Sequence, residues 1–561
     1  MFYDITLYAS LAIFTAGLIY KISNWFRYKI GPDAAAIAMS SRISAAARGM
    51  ISTLFSAKIM TLLRVFLMEV LLQKWLMKKD VLRWLAHMCI YGGFMLLLLM
   101  HGLDKLVTEV LFDEYYSTLN PFMFLRDFFG LVVIVGIGMA LYRRFMSKAP
   151  RPKSTGIDCY AIIILAVIMI SGIALEGTKI VSHSRYQEMV EEYSGLGEEE
   201  TEELRALEAY WMDQFGVVSP NIRGSFDDKT LEQGKELHEM SCASCHSKPH
   251  WGFMGYGVAT AIRPMALPLD RANVHHLLWY LHFMACFFGL AYLPFSKFFH
   301  IFSTPAYLLV DAVVEQGRSD PANLITKQAM QLDACTHCGD CTVRCSVAIA
   351  LYQIPNPNIL PSEKLAACRD LLAGKKLSAK RLTKIQEGSH ICTDCHRCTD
   401  VCPIGINLEY LWASLNRKLA ELGYPKPETW AREAIGAEFD LSNVKEKPLS
   451  LTPVDKEFAG ALVSSAQANT FSVCFGCQNC TNVCPVVENY ENPKEVLGLL
   501  PHEIMHCLAL KQKGLAIGSN MLWDCLTCYI CQEHCPQGVR VTDVLYELKN
   551  LALKHLKNKA A

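Results

Sequence analysis

The chain has 561 residues, with 54 Lys and Arg against 54 Asp and Glu and a formal net charge of zero, which is room for roughly three or four domain-sized units. That balance leaves no basic footprint, so nucleic acid is not an expected partner. The mean hydropathy of +0.20 is high for a soluble protein, and 23 cysteines in a chain of this length do not read as the disulfide framework of a small secreted domain.

Apolar residues concentrate before residue 310, and the regularly spaced cysteines lie after it. A membrane half is expected ahead of a soluble half. Five transmembrane helices are predicted at about 4–22, 85–107, 122–142, 157–178 and 276–300, each near the roughly 20 apolar residues a bilayer requires. The opening MFYDITLY is acidic rather than basic and no small-residue cleavage site follows, so the first helix reads as a span and not a signal peptide. The stretch IMTLLRVFLMEVLLQKW (59–75) carries Arg64, Glu69 and Lys74, which are costly at bilayer depth. It is expected as part of an amphipathic surface helix, 55–79.

Charge suggests the orientation. Lys21 to Arg83 holds eleven basic residues and three acids, and YRRFMSKAPRPK after the third helix holds five and none. The loop 102–120 has one Lys and four acids, and 179–271 has nine basic residues and sixteen acids. The positive-inside rule places the first two in the cytoplasm and the last two outside. The N-terminus and 181–272 are then external, and everything after the fifth helix is cytoplasmic, in a prokaryotic inner membrane.

Two of the helices carry histidines in phase. His87 and His101 are fourteen residues apart, nearly four turns and about 21 Å. His282 and His300 are eighteen apart, five turns and about 27 Å. A single histidine of this kind reads as structural, but two in-phase pairs on apolar helices fit the axial ligands of two stacked b-haems. Orientation pairs His87 with His300 near the cytoplasmic end and His101 with His282 nearer the outside. From His300, His276 faces away and His275 is too far to lie within the hydrocarbon.

Between the fourth and fifth helices stands GKELHEMSCASCHSKP. Cys-x-x-Cys-His is the attachment pattern of a c-type haem, with Cys242 and Cys245 forming thioethers and His246 the proximal ligand. Half a zinc site or a redox Cys-x-x-Cys would not explain the histidine that follows directly. His250, Met254, Met265 and His275 are the candidates for a sixth ligand. The acidic stretch EEETEELRALEAYWMDQF is expected as a helix with a solvated face, with docking of a basic cytochrome c as the alternative.

Sixteen cysteines fall in four runs of C-x2-C-x2-C-x3-C: CTHCGDCTVRC (335–345), CTDCHRCTDVCP (392–403), CFGCQNCTNVCP (474–485) and CLTCYICQEHCP (525–536). Three thiolates on one tight loop suit a corner of a cubane, with the fourth reaching the neighbouring cluster. Zinc would leave the third cysteine unexplained. Crossover gives four sets: Cys335, Cys338, Cys341 and Cys402; Cys392, Cys395, Cys398 and Cys345; Cys474, Cys477, Cys480 and Cys535; Cys525, Cys528, Cys531 and Cys484. Ser346 stands where the other runs have proline. The runs form two eight-cysteine modules, an internal repeat, joined within each module by helical segments such as EKLAACRDLLAGKKLSAKRLTKIQE. The remaining Cys89, Cys159, Cys286, Cys368 and Cys507 are expected as small buried apolar residues.

Five helices with histidines on the second and fifth resemble the gamma (cytochrome b) subunit of respiratory nitrate reductase. The run HHLLWYLHFMACFFGLAYLPFSKFFHIFSTP (275–305) is more similar still to b-type subunits of membrane heterodisulfide reductases and of sulfite-reductase-associated complexes. The resemblance covers about 1–180 and 273–310, with the haem c segment inserted between. It implies exchange of electrons with a quinone near the outer haem, which falls here at His101, Asp104 and Lys105. The ending WDCLTCYICQEHCPQGVRVTDVLYELKNLA resembles the C subunit of heterodisulfide reductase, and the first module resembles it more loosely. That family relays electrons to a catalytic subunit with CCG motifs or to a flavoprotein. No CCG occurs here, so a separate cytoplasmic redox subunit is implied as partner.

The expected fold is mainly α: a five-helix transmembrane cytochrome b bundle with two α-helical ferredoxin-type modules of two [4Fe–4S] clusters each. The expected divisions are 1–180 and 273–310 for the membrane part, 181–272 for the haem c segment, 311–415 and 466–561 for the modules, and 416–465 for a linker. The expected activity is electron transfer between a quinone pool or external cytochrome c and the cytoplasmic partner. The rival readings are a self-sufficient membrane disulfide reductase and a membrane anchor whose clusters are structural.

Overall fold

A computed structural model describes residues 1–28, 37–112, 115–145, 156–197, 199–222, 226–315, 317–439 and 455–560. Most of the basic loop 142–153 therefore lies outside the described residues, as does 440–454 of the expected linker. Among the described residues all regular structure is helical, without a strand. The chain forms two compact units, 1–377 with 392–414, and 378–391 with 415–561.

In the first unit five helices are long and apolar enough to cross a membrane: Phe2–Arg27, Val81–Gly102, Phe122–Arg143, Gly156–Val181 and Val274–Phe295. Their outer faces leave Ile19, Ile163, Ile170 and Leu277 at least 60% exposed, a surface suited to lipid. Small residues bring helices together, as in membrane bundles. A Cβ on Gly93 would stand 2.9 Å from Val133, and one on Gly136 would stand 2.8 Å from Ile90.

Two of the expected helices are not regular. The second is α-helical over Val81–Leu97 and then continues in wider π turns, Leu98–Gly102 and Asp104–Thr108. The fifth does not run straight from 276 to 300. It ends at Tyr292, passes through two 3-10 turns, Leu293–Phe295 and Lys297–Phe299, and restarts as His300–Val313. Pro294 is the physical reason, since it has no N–H to give and its ring crowds the preceding turn.

The stretch 59–75 is divided among a helix Lys58–Val65, a π turn Phe66–Leu71 and a helix Lys74–Lys79, with Gln73 at a left-handed φ of 50°. None of these pieces is long enough to cross a bilayer. Trp75 Nε1 donates to the Cys402 carbonyl at 3.1 Å and Lys79 Nζ to the Asp400 carbonyl at 2.5 Å, so the segment lies on the first cysteine module. That module is held to the same end of the bundle by Trp25 Nε1, which donates to Asp333 Oδ2 at 2.9 Å, and by Tyr307 OH, which donates to the Gly405 carbonyl at 3.0 Å.

The insertion packs at the other end. Helices His183–Tyr193, Thr201–Gln214 and Asp228–Ser241 share a core of Tyr186, Leu207, Trp211, Phe215 and Cys242. The acidic helix is thus amphipathic, with Ala206, Leu207, Ala209 and Trp211 inward. The following helix, Phe253–Ile262, lies on the fourth spanning helix, where a Cβ on Gly177 would stand 2.6 Å from Val258.

In the second unit the stretch expected as a linker is partly core. Ala431 and Ile435 of the helix Pro427–Glu438, and Phe458 and Leu462 of the helix Lys456–Ser464, pack with Leu497, Ile504 and Leu545. Their apolar spacing at i and i+4 puts one face inward. Of the scattered cysteines, Cys368 and Cys507 are buried and Cys89 and Cys286 are half-buried, but Cys159 is exposed, contrary to expectation.

Candidate functional site

The two histidine pairs meet across the bundle. The His87 and His300 ring centroids are 6.1 Å apart, and those of His101 and His282 are 6.4 Å apart. With a metal–imidazole bond of about 2.0 Å and each centroid about 1 Å behind its nitrogen, two imidazoles holding one metal between them would stand about 6 Å apart. The rings therefore fit axial ligation. His282 Nδ1 lies 3.1 Å from both the Ile168 carbonyl and Ser171 Oγ, and His300 Nδ1 lies 2.7 Å from the Lys297 carbonyl. Such partners favour the Nδ1–H tautomer and leave Nε2 free to hold a metal. A Cβ on Gly172 would stand 3.0 Å from the His282 ring, so this glycine makes room for the imidazole. Asp104 bears electrostatically on His101. Lys105 is exposed, and its backbone N–H bonds Asp104 Oδ1 at 2.8 Å.

CASCH sits at the end of the helix Asp228–Ser241 and is tied to the loop between the second and third spanning helices. Thr118 Oγ1 donates to the Cys245 carbonyl at 2.6 Å, and the Ser247 N–H donates to the Thr118 carbonyl at 3.1 Å. In the same loop Tyr115 OH donates to the Met100 carbonyl, next to His101. Burial pushes the Cys242 thiol up to about 11 and His246 down to about 4, which keeps the imidazole neutral and able to ligate. Tyr186 OH, Trp211 Nε1 and His238 Nδ1 are buried here without hydrogen-bond partners. A site built to stay empty would not leave three such groups unpaired, so the surroundings fit a bound haem.

The four expected sixth ligands stand in different surroundings. His250 is exposed beside Trp251, Met265 is 58% exposed, the Met254 N–H donates to Asp127 Oδ2 at 2.6 Å, and His275 is buried against His276 and Asp270. The imidazole that bears on His246 is His238, packed on Trp211 and Phe215. The Trp211 ring lies between them, 5.6 Å from His238 and 5.4 Å from His246. His238 stands one helical turn before Cys242.

The four cysteine loops share one backbone. The residue before the second cysteine has positive φ in each (His337, Asp394, Gly476 and Thr527), and so does the residue after it (Gly339, His396, Gln478 and Tyr529). Six of these eight residues are not glycine, and left-handed turns held by such residues are characteristic of functional loops. Such turns direct successive N–H groups inward, forming the nest that surrounds iron–sulfur clusters. Within each module, cysteines of the two runs come together. Cys345, Cys392, Cys395 and Cys398 line one recess of the first unit, and Cys474, Cys477, Cys480 and Cys535 line one of the second. Cys341 lies among Cys335, Cys338 and Cys402, with Cys398 also bearing on it, and Cys531 lies among Cys525, Cys484 and Cys528. Burial pushes the Cys335 and Cys480 thiols up to about 12, so filling these sites must release protons. Among the described residues no three His, Cys, Asp or Glu side chains converge at single-ion range. The thiols ring a larger space instead.

Comparison with known proteins agrees with this part of the chain. The profile of the 4Fe-4S dicluster domain matches residues 331–406 and 470–539, so the two modules are iron–sulfur domains of that type. The chain is 37% identical over 81 residues to the C subunit of the ferredoxin:CoB-CoM heterodisulfide reductase of Methanosarcina mazei (14% of this chain, 45% of that one). It is 34% identical over 101 residues to the C subunit of the H(2):CoB-CoM heterodisulfide,ferredoxin reductase of Methanothermobacter marburgensis (18% and 50%). It is 32% identical over 115 residues to the D subunit of the dihydromethanophenazine:CoB–CoM heterodisulfide reductase of Methanosarcina acetivorans (18% and 28%). The chain thus spans half or less of the length of these relatives. No solved structure matches it.

Proposed function

We propose that the chain is the membrane electron-transfer subunit of a respiratory oxidoreductase complex, holding one haem c, two haems b and four [4Fe–4S] clusters. The observation that carries this reading is the order of sites within one compact unit. CASCH lies at one end of the second spanning helix, two histidine pairs stand along the bundle, and an eight-cysteine module lies at the other end. When bound, these groups supply one-electron chemistry, and the protein supplies ligation, burial and electrostatics.

Cys242 and Cys245 are the thioether residues, with His246 as the proximal ligand. His101 with His282, and His87 with His300, are the axial pairs. The sixteen module cysteines hold the cubanes in the four crossover sets. The outer pair, with Asp104 beside it, is the place for exchange with a quinone, and an external cytochrome c is the alternative partner on that side. A separate cytoplasmic protein of heterodisulfide reductase type is the partner of the modules.

The packing supports the orientation from the positive-inside rule. The basic segment 58–79 and the first module share one end, and the acidic loop 102–120 and CASCH share the other. The end rich in Lys and Arg is then cytoplasmic, where thiolates stay reduced, and CASCH is external.

A pyridine haemochrome spectrum with an iron assay on the purified chain tests the reading. Two b-haems per covalent c-haem and about sixteen non-haem irons are expected. Absence of covalent haem, or of both b-haems, overturns it.

A further inference from the structure

The two cysteine modules are repeats, and their structures give the register. In each, a helix opens on a buried proline: Pro361–Leu372 in the first and Pro501–Ala509 in the second. In each, the residue after that proline bonds the threonine three places before the last cysteine of the first run. Thr342 Oγ1 lies 2.6 Å from Ser362 Oγ, and Thr481 Oγ1 lies 2.7 Å from His502 Nδ1. In this register Lys364 corresponds to Ile504. Counted from Cys345 and Cys484, Ser346 corresponds to Pro485, and counted from Cys402 and Cys535, Trp412 corresponds to Leu545.

The three first-module residues surround one thiol set. Ser346, Lys364 and Trp412 line the recess of Cys345, Cys392, Cys395 and Cys398. Ser346 Oγ lies 3.1 Å from Cys395 Sγ. Lys364 is 1% exposed, with its ammonium 5.0 Å over the Trp412 ring. Trp412 Nε1 is buried without a hydrogen-bond partner and bears on Cys398. The acid on this wall, Glu409, is held by His396 at 2.6 Å, and Asp394 is exposed.

At these three positions the second module has apolar residues, Pro485, Ile504 and Leu545. Ile504 and Leu545 are 0% and 1% exposed in its core. Lys549 bears on Cys525, but its ammonium lies 3.4 and 3.5 Å from the Trp523 and Cys525 carbonyls, and Thr542 Oγ1 lies 3.3 Å from Cys531 Sγ. Burying an ammonium is costly unless something nearby needs its charge. The first module bears that cost where its repeat uses isoleucine.

We infer that Ser346, Lys364 and Trp412 make the Cys345, Cys392, Cys395 and Cys398 site a better electron acceptor than its repeat at Cys484, Cys525, Cys528 and Cys531. The inference rests on the reading that both sets hold [4Fe–4S] clusters. One-electron reduction adds one negative charge to such a site. A buried cation, the Ser346 hydroxyl beside Cys395 and an unpaired indole N–H in the same recess favour the reduced form. Between the two repeats, equilibrium then favours the electron on the first-module site.

The test is a potentiometric titration of the full-length protein followed by electron paramagnetic resonance. Cys395→Ser and Cys528→Ser assign the two signals by their loss. The Cys395 site is expected at the higher potential. Lys364→Ile installs the residue the repeat already buries. It is expected to keep its iron and, at fixed potential, to lower the reduced-to-oxidised ratio of that site about tenfold or more, while Lys364→Arg keeps most of the ratio. An unchanged ratio in iron-replete Lys364→Ile, or a higher potential at the Cys528 site, overturns the inference. If Lys364→Ile loses iron, Trp412→Leu is read instead: a fall in the ratio supports the inference and no shift overturns it. A wild-type protein in which Cys395→Ser removes no signal overturns the cluster reading itself.

Discussion

Arg83 and Asp340 join the membrane bundle to the first cysteine loop. Arg83 Nη1 lies 2.5 Å from Asp340 Oδ2, and the guanidinium also reaches Cys338. Arg83 stands in the first turn of the second spanning helix, one turn before His87, and its N–H is capped by Asp80 Oδ1 at 3.0 Å. A single side chain thus links the inner histidine pair to a cluster-binding loop. The pair is partly exposed, so a double-mutant cycle with Arg83→Gln and Asp340→Asn is expected to give a coupling of about 1–2 kcal/mol in thermal unfolding. The b-haem content should stay unchanged.

The histidine pairs predict a stepwise loss. His87→Ala or His300→Ala removes one b-haem, and His101→Ala or His282→Ala removes the other. Each is expected to halve the b-haem signal and leave covalent haem intact in a haemochrome spectrum. Gly172→Val is a subtler probe. A Cβ there already meets the His282 ring at 3.0 Å, so the larger side chain should displace the imidazole and lower the occupancy of the outer b-haem alone.

The cysteine sets are separable. Cys242→Ala is expected to abolish haem staining on a denaturing gel without changing the iron content of the modules. Cys395→Ser and Cys535→Ser lie in different units. Each should lower non-haem iron by about a quarter, and the double variant by about a half.

Two buried thiols outside the sites give a pH dependence. Burial pushes Cys368 up to about 12 and Cys507 up to about 11. In the unfolded chain such thiols ionise near about 8.5, so the folded values are raised. Their contribution to stability is complete below that pH and is lost as pH rises toward 11 and beyond. Thermal stability should fall from about pH 9 upward. Mass-spectrometric alkylation mapping at pH 8 should find both thiols protected in the folded protein and modified after unfolding.

The iron–sulfur type of the two modules and the helical class were legible in the linear chain because their signals are local. C-x2-C-x2-C-x3-C loops and apolar stretches of bilayer length both depend on neighbours within a few residues, and the helical class followed from them. The wider relations were not legible. Uniform 3.6-residue phasing overlooked the π turn at His101 and the break at Pro294, yet the histidines still meet, because packing, and not helical phase alone, sets which rings face each other. The helix Pro427–Glu438 reads as linker until its Ala431 and Ile435 are seen buried. Arg83, Lys364 and Trp412 carry no motif. Their importance comes from burial beside thiols tens of residues away or more, and only the packed chain creates that low-dielectric proximity.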